Sequence, residues 1–140
     1  MKHLLYIIVF FSLKQACAQR IVLPFNNDWQ FSKDNFSFNN KVVQWHNINL
    51  PHTWNIADVM DDEPGYYRGP AYYKKEFTLP KNMRNKELYL LIEGANQQAE
   101  VFVNGKKLNE HIGGYTAFFT RLSPLLIGNI KNELIIKVDN

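Results

Sequence analysis

Cysteine is almost missing from this chain: Cys17 is the only one, and it lies in a segment that reads as a removable leader. A chain cut after Ala18 has no disulfide, no thiol nucleophile and no thiolate metal site, so its stability must come from packing. Charge of one sign is scarce too. Sixteen Lys and Arg stand against 13 Asp and Glu, and Lys2 and Lys14 of the leader supply most of the surplus. The remainder is close to neutral and lacks the clustered basic face that nucleic acid or an anionic membrane calls for. Neither is an expected partner once the leader is removed. Internal repeats, low-complexity stretches, linkers and any long helical period are also lacking. What is present is 46% hydrophobic and 14% aromatic residues in 140, enough apolar mass for one ordered domain with a real core.

Residues 1–18 read as a secretory signal peptide. Lys2 supplies the positive start, residues 4–11 an apolar run, and Ala16, Cys17 and Ala18 small side chains at the cleavage positions. The mature chain, residues 19–140, is expected to begin at Gln19 and to be periplasmic or secreted. Two alternatives stand beside this. A membrane-spanning helix needs about twenty apolar residues, and this run is shorter and interrupted by Lys14. Cys17 could also be the acylated cysteine of a bacterial lipoprotein, although Lys14 and Gln15 sit where that signal prefers apolar and small residues. Asn35, Phe36 and Ser37 fit a glycosylation acceptor, which matters only in a eukaryotic secretory pathway.

Past the leader, short stretches of aromatic and branched residues separated by Gly, Pro, Asn and Asp spell strands and turns. Residues 29–31 and 45–50 are strand candidates, the second stopped by Pro51. Across 72–79, Tyr73, Phe77 and Leu79 alternate with Tyr72, Lys74, Glu76 and Thr78, the pattern of a half-buried strand. Residues 88–92 are nearly continuously apolar, which predicts a central strand covered on both faces. Val101 and Val103 share one face, and Asn104-Gly105 offers the two positive-φ positions of a tight hairpin turn. Ser123 and Pro124 could cap and open one helical turn. Leu134, Ile136 and Val138 alternate with Ile135 and Lys137 in a last strand. Six or seven closely spaced strands describe an all-β antiparallel sandwich or barrel. The final strand is expected to lack its next partner, leaving residues 134–138 exposed and prone to aggregate.

Catalytic machinery is not evident. Glycoside hydrolysis needs two carboxyl groups about 5 to 9.5 Å apart. The only acidic cluster, Asp61-Asp62-Glu63 beside Pro64-Gly65, reads as a solvated turn before it reads as an acid pair or cation site. His3, His46, His52 and His111 show no zinc spacing, no Ser occupies a nucleophile elbow, and no Gly-rich loop opens a helix. No catalytic residue, metal or cofactor is therefore expected. Sugar binding is better provided for: aromatic rings stack on apolar sugar faces while amides and guanidinium groups bond hydroxyls. Trp54, Asn55, Tyr66, Tyr67 and Arg68 offer those groups. Each aromatic can equally be core packing, and Arg68 can orient a hydroxyl or bond backbone carbonyls.

The motifs that carry a resemblance run in one order. They are Leu50-Pro51-His52-Thr53-Trp54-Asn55, Tyr66-Tyr67-Arg68-Gly69-Pro70-Ala71-Tyr72-Tyr73, Glu93-Gly94-Ala95, Val101-Phe102-Val103-Asn104-Gly105, His111-Ile112-Gly113-Gly114-Tyr115-Thr116-Ala117-Phe118, Asn132-Glu133-Leu134 and Val138-Asp139-Asn140. Together, over residues 25–140, they resemble the amino-terminal sugar-binding domain of glycoside hydrolase family 2, which comprises β-galactosidases, β-glucuronidases and β-mannosidases. The resemblance implies a jelly-roll, galactose-binding-like sandwich that packs on a catalytic barrel normally in the same chain and lends loops to its rim. Both catalytic glutamates belong to that barrel. It also implies that the family's closing strands are missing here. Asn55 matches an asparagine that reaches the terminal sugar, with Arg68 a nearby second, while residues 111–115 form a structural loop at the sandwich edge. The expected function is a non-catalytic carbohydrate-binding scaffold of a secreted family 2 glycosidase of β-galactosidase type, with a β-galactoside-like glycan as its carbohydrate partner. The alternative is a standalone lectin-like module.

Overall fold

The computed structural model describes residues 20–33, 36–38, 43–55 and 67–140. The leader, Tyr66 and the Asp61-Asp62-Glu63 cluster lie outside the described residues. Eight strands are described: β1 (Trp29–Ser32), β2 (His46–Ile48), β3 (Pro70–Thr78), β4 (Tyr89–Ile92), β5 (Gln98–Val103), β6 (Lys106–Ile112), β7 (Phe118–Arg121) and β8 (Lys131–Asp139). They form a six-stranded sheet in the order β2-β1-β3-β8-β5-β6 and a two-stranded sheet, β4-β7, with every pairing antiparallel. No described helix is long and apolar enough to cross a membrane.

Alternation builds the core. Trp29, Phe31, Tyr73, Val101, Val103, Leu134, Ile136 and Val138 point from the large sheet toward Leu90 and Phe118 of the small one, and all are buried. Trp29 is fixed further by its indole N–H, which donates to the Phe25 carbonyl at 2.7 Å, and by an edge-on Phe25 ring 5.9 Å away. On the same face of β3, Lys75 is buried as well. Its ammonium donates to the Asn27 carbonyl and sits 4.6 Å above the Phe25 ring, so a long cationic side chain is held by one carbonyl and a π face in place of a carboxylate.

The hairpin forms where the residues predict it. Asn104 and Gly105 take φ of 50° and 78° between β5 and β6, and a register shift lies ahead of them on β5, at Val101/Phe102. Other expectations are corrected. Strand β4 is not covered on both faces: it belongs to the two-stranded sheet, and its outward residues Tyr89 and Leu91 are exposed together with Phe119 of β7. An apolar run cannot distinguish a central strand from one whose solvent side is also apolar. The last strand is not left unpartnered. β8 is inserted between β3 and β5 and bonded to both, and residues 134–136 and 138 are all buried, so the exposed apolar surface lies on the small sheet instead. Ile135, on the outer side of β8, is covered where Phe36, Phe38, Tyr72 and Phe102 gather around a small cleft. The turn at Ser123–Leu125 is a single 3-10 turn, but Ser123 does not cap it. Its hydroxyl accepts from the Leu88 N–H at 2.7 Å, tying the turn to the start of β4.

Behind the hairpin lies the best-satisfied polar cluster of the fold. Asn132, fully buried, accepts through Oδ1 from the Ile127 N–H at 2.7 Å and from Asn104 Nδ2 at 2.9 Å. Its Nδ2 donates to the carbonyls of Ile127 and Ile130. Asn104 Nδ2 also donates to the Leu125 carbonyl at 2.8 Å, and its Oδ1 accepts from the Glu133 N–H at 2.9 Å. Two carboxamides thus stitch the hairpin tip to residues 125–133, with each buried donor and acceptor matched.

Candidate functional site

The chain leaves β2, bonds back through the Leu50 N–H to the Asn26 carbonyl, and passes beneath β1 and β3. The His52 ring lies 4.6 Å from Phe31, with Nδ1 hydrogen-bonded to the Tyr73 hydroxyl at 3.1 Å. Trp54 stacks on Phe31 with centroids 6.0 Å apart. Trp54 therefore takes the core-packing role, and Asn55 follows directly on an anchored ring. The Asn55 Oδ1 is buried and has no hydrogen-bond partner among the described residues. Buried acceptors are almost always satisfied, which sets this atom apart among the described residues.

Arg68 is placed by a different clamp. Tyr67 donates its hydroxyl to the Pro70 carbonyl at 2.8 Å, and Lys33 lies over its ring at 4.8 Å. On the other side, Gly69, at φ 138°, donates its N–H to Asn140 Oδ1 at 3.0 Å, while Asn140 Nδ2 donates to the Tyr67 carbonyl. Both neighbours of Arg68 are pinned, yet its own side chain is exposed. The guanidinium bonds no backbone carbonyl among the described residues. No hydrogen bond joins Asn55 to Arg68. The role of Asn140 escaped sequence reasoning, although it closes a motif used for the resemblance; nothing local announces a side chain that reaches across from the end of β8.

The 111–115 loop is structural, as expected. His111 stacks on Phe118 at 4.2 Å and its Nε2 meets Thr116 Oγ1 at 2.9 Å. Gly114 passes so close to Asn96 that a Cβ there would come within 2.7 Å of Oδ1. Tyr115, at 99% exposure, and Ile112, at 77%, project from it. Two carboxylates, Asp28 and Glu76, share an open groove on the outer face of the large sheet, but Glu76 is exposed and paired with Lys131 at 3.0 Å. A glycosidase acid is instead one whose proton is retained by burial. Among the described residues no group of His, Cys, Asp and Glu could hold a metal ion.

Titration follows from the same packing. Burial, reinforced by Lys33, holds the His52 imidazole below its ordinary 6.5, and burial pushes the Tyr73 phenol well above its usual range. Because the unfolded chain protonates His52 first, the stability this residue contributes is present above pH 6.5 and is lost as pH falls below it. Exposed Glu87 and Glu110 and half-buried Glu100, held below 4.5 by Arg121 and Lys107, lose their contribution only below 4.5. Urea midpoints should therefore decline between pH 6.5 and 4.5 in the natural chain and stay flat over that interval in His52→Gln. A flat natural profile there would rule out this origin.

The profile of the "Glycosyl hydrolases family 2, sugar binding domain" matches residues 12–140. The chain belongs to this family. It is 41% identical over 131 residues to a putative β-glucuronidase of Formosa agariphila, covering 91% of this chain and 16% of that protein. It is 31% identical over 126 residues to a β-galactosidase of Thermoanaerobacter pseudethanolicus, covering 86% of this chain and 17% of that protein. Among solved structures, the β-glucuronidase of Bacteroides uniformis superposes with a TM-score of 0.73 at 34% identity, covering 82% of this chain and 14% of that one. The chain thus spans about a sixth of the length of the relatives it matches, and its sandwich is the sugar-binding domain of family 2 glycosidases.

Proposed function

We propose that this chain is the non-catalytic, sugar-facing wall of a larger secreted family 2 glycosidase, that the acids which break the bond lie on further polypeptide, and that the whole protein cleaves β-glucuronides. The observation that carries the sugar-binding part is the Asn55 Oδ1, a buried acceptor without a donor among the described residues, on an anchored loop; a sugar hydroxyl is a donor of the right kind. Support for the division of labour comes from the share of each relative that is matched. Support for a glucuronide comes from the names of relatives that are 41%, 35% and 33% identical. A β-galactoside, the substrate expected from the sequence, keeps its own support in a β-galactosidase relative at 35% and a putative β-galactosidase structure at 36% identity. A separate lectin-like module is not favoured, because the relatives matched are several times longer than the chain.

The test compares the isolated chain with the full-length hydrolase on chromogenic β-glucuronides and β-galactosides. The chain alone should turn over neither, and the full protein should prefer the glucuronide. Turnover by the chain alone, abolished by changing one of its carboxylates, would defeat the division of labour; a galactoside preference would defeat only the substrate assignment. The exported protein should begin at Gln19 when its amino terminus is sequenced, and a lipid-modified Cys17 would contradict that.

A further inference from the structure

Asn-Gly is the dipeptide in which an asparagine side chain is most easily lost. Glycine places no side chain over its own amide nitrogen, so that nitrogen can approach the preceding carboxamide carbon. Asn104-Gly105 occupies the tip of the β5–β6 hairpin, with Gly105 exposed, yet the Asn104 carboxamide is not free. Its Nδ2 donates to both Leu125 and Asn132, and its Oδ1 accepts from the Glu133 N–H. Attack on Cγ requires this carboxamide to turn toward the Gly105 nitrogen, and turning breaks all three bonds.

We propose that Asn104 is a guarded deamidation site: the network anchored by Asn132 holds its side chain out of reach of the Gly105 nitrogen, and opening of that network releases conversion to aspartate and isoaspartate. In the step, the deprotonated Gly105 nitrogen forms a bond to Asn104 Cγ. The Cγ–Nδ2 bond breaks and ammonia leaves with the proton, giving a five-membered succinimide. One water then adds across either ring C–N bond, so that the net change consumes one water and exchanges an amide for a carboxylate. The change is one-way for the fold. A carboxylate at 104 would direct an acceptor at the Leu125 carbonyl and Asn132 Oδ1, both acceptors, while Asn132 Nδ2 is already committed to Ile127 and Ile130. Unmatched acceptors in such a site repel, and the hairpin tip cannot reseal.

The experiment incubates the full chain and a short peptide containing Asn104-Gly105 at mildly alkaline pH and follows acid formation at residue 104 by peptide mapping and isoaspartate detection. Conversion in the folded chain should be at least about tenfold slower than in the peptide, since it waits on local opening. It should speed up in Asn132→Ala. If that variant does not fold, the natural chain in rising, sub-denaturing urea supplies the same reading, and conversion at 104 should climb before global unfolding. Equal rates in folded chain and peptide would overturn the proposal, as would conversion indifferent both to the variant and to urea.

Discussion

Replacing Asn132 by alanine should cost the domain about 3 kcal/mol or more of folding free energy, because one truncation leaves several buried groups without partners at about 1–3 kcal/mol each. The orphans can be named: the Ile127 N–H and carbonyl, the Ile130 carbonyl and one N–H of Asn104. Asn132 itself is wholly enclosed, whereas Ile127 and Ile130 are exposed residues, so part of this cost is recovered where their backbone groups reach water. Asn132→Asp should be nearly as harmful. It keeps the acceptor but loses both donated bonds and buries a charge with no basic partner in that cluster. The measurement is the urea midpoint of each variant with its slope. A midpoint within error of the natural chain for Asn132→Ala would mean that the network is a consequence of the fold and not a support of it.

Changing Asn55 to alanine is expected to do the opposite kind of damage. Removing a carboxamide whose Oδ1 has no partner among the described residues takes nothing satisfied away, so stability should hold or rise slightly. In the full hydrolase, however, kcat/KM should fall by about ten- to a hundredfold, or roughly 1.4–2.7 kcal/mol of lost transition-state binding. Arg68→Ala, which removes an exposed group with no hydrogen-bond partner among the described residues, should cost less. The pair of readouts is discriminating: loss of stability with unchanged kinetics in Asn55→Ala would make it a packing residue and withdraw it from the sugar site.

What could be read from the residues was whatever is local. Asn104-Gly105 announces a hairpin because both φ requirements fall on two adjacent residues, and Val101 and Val103 declare an inward face by simple alternation. Non-local pairing was hidden. Leu134, Ile136 and Val138 identify a strand, but nothing in their own segment says that it will lie between β3 and β5, and so its expected exposure was wrong. Residues 88–92 misled for the converse reason, since Tyr89 and Leu91 are apolar yet face outward. Lys75 interrupts the inward face of β3 and went unread, because a buried ammonium supported by an aromatic ring and a carbonyl leaves no periodic mark. For the candidate site, residue chemistry and motif resemblance pointed to Asn55 and Arg68; the unpartnered oxygen of one among the described residues and the pinned flanks of the other are three-dimensional facts.

The place of β8 has a temporal meaning. It comes last of the described strands in chain order, yet it fills the middle of the large sheet and bridges β2-β1-β3 to β5-β6. Until residues 131–139 are available, the two sub-sheets have open edges facing each other and no common ladder. During synthesis the domain can therefore only close once residues 131–139 have emerged, and the strands made before them stay without a common sheet until then.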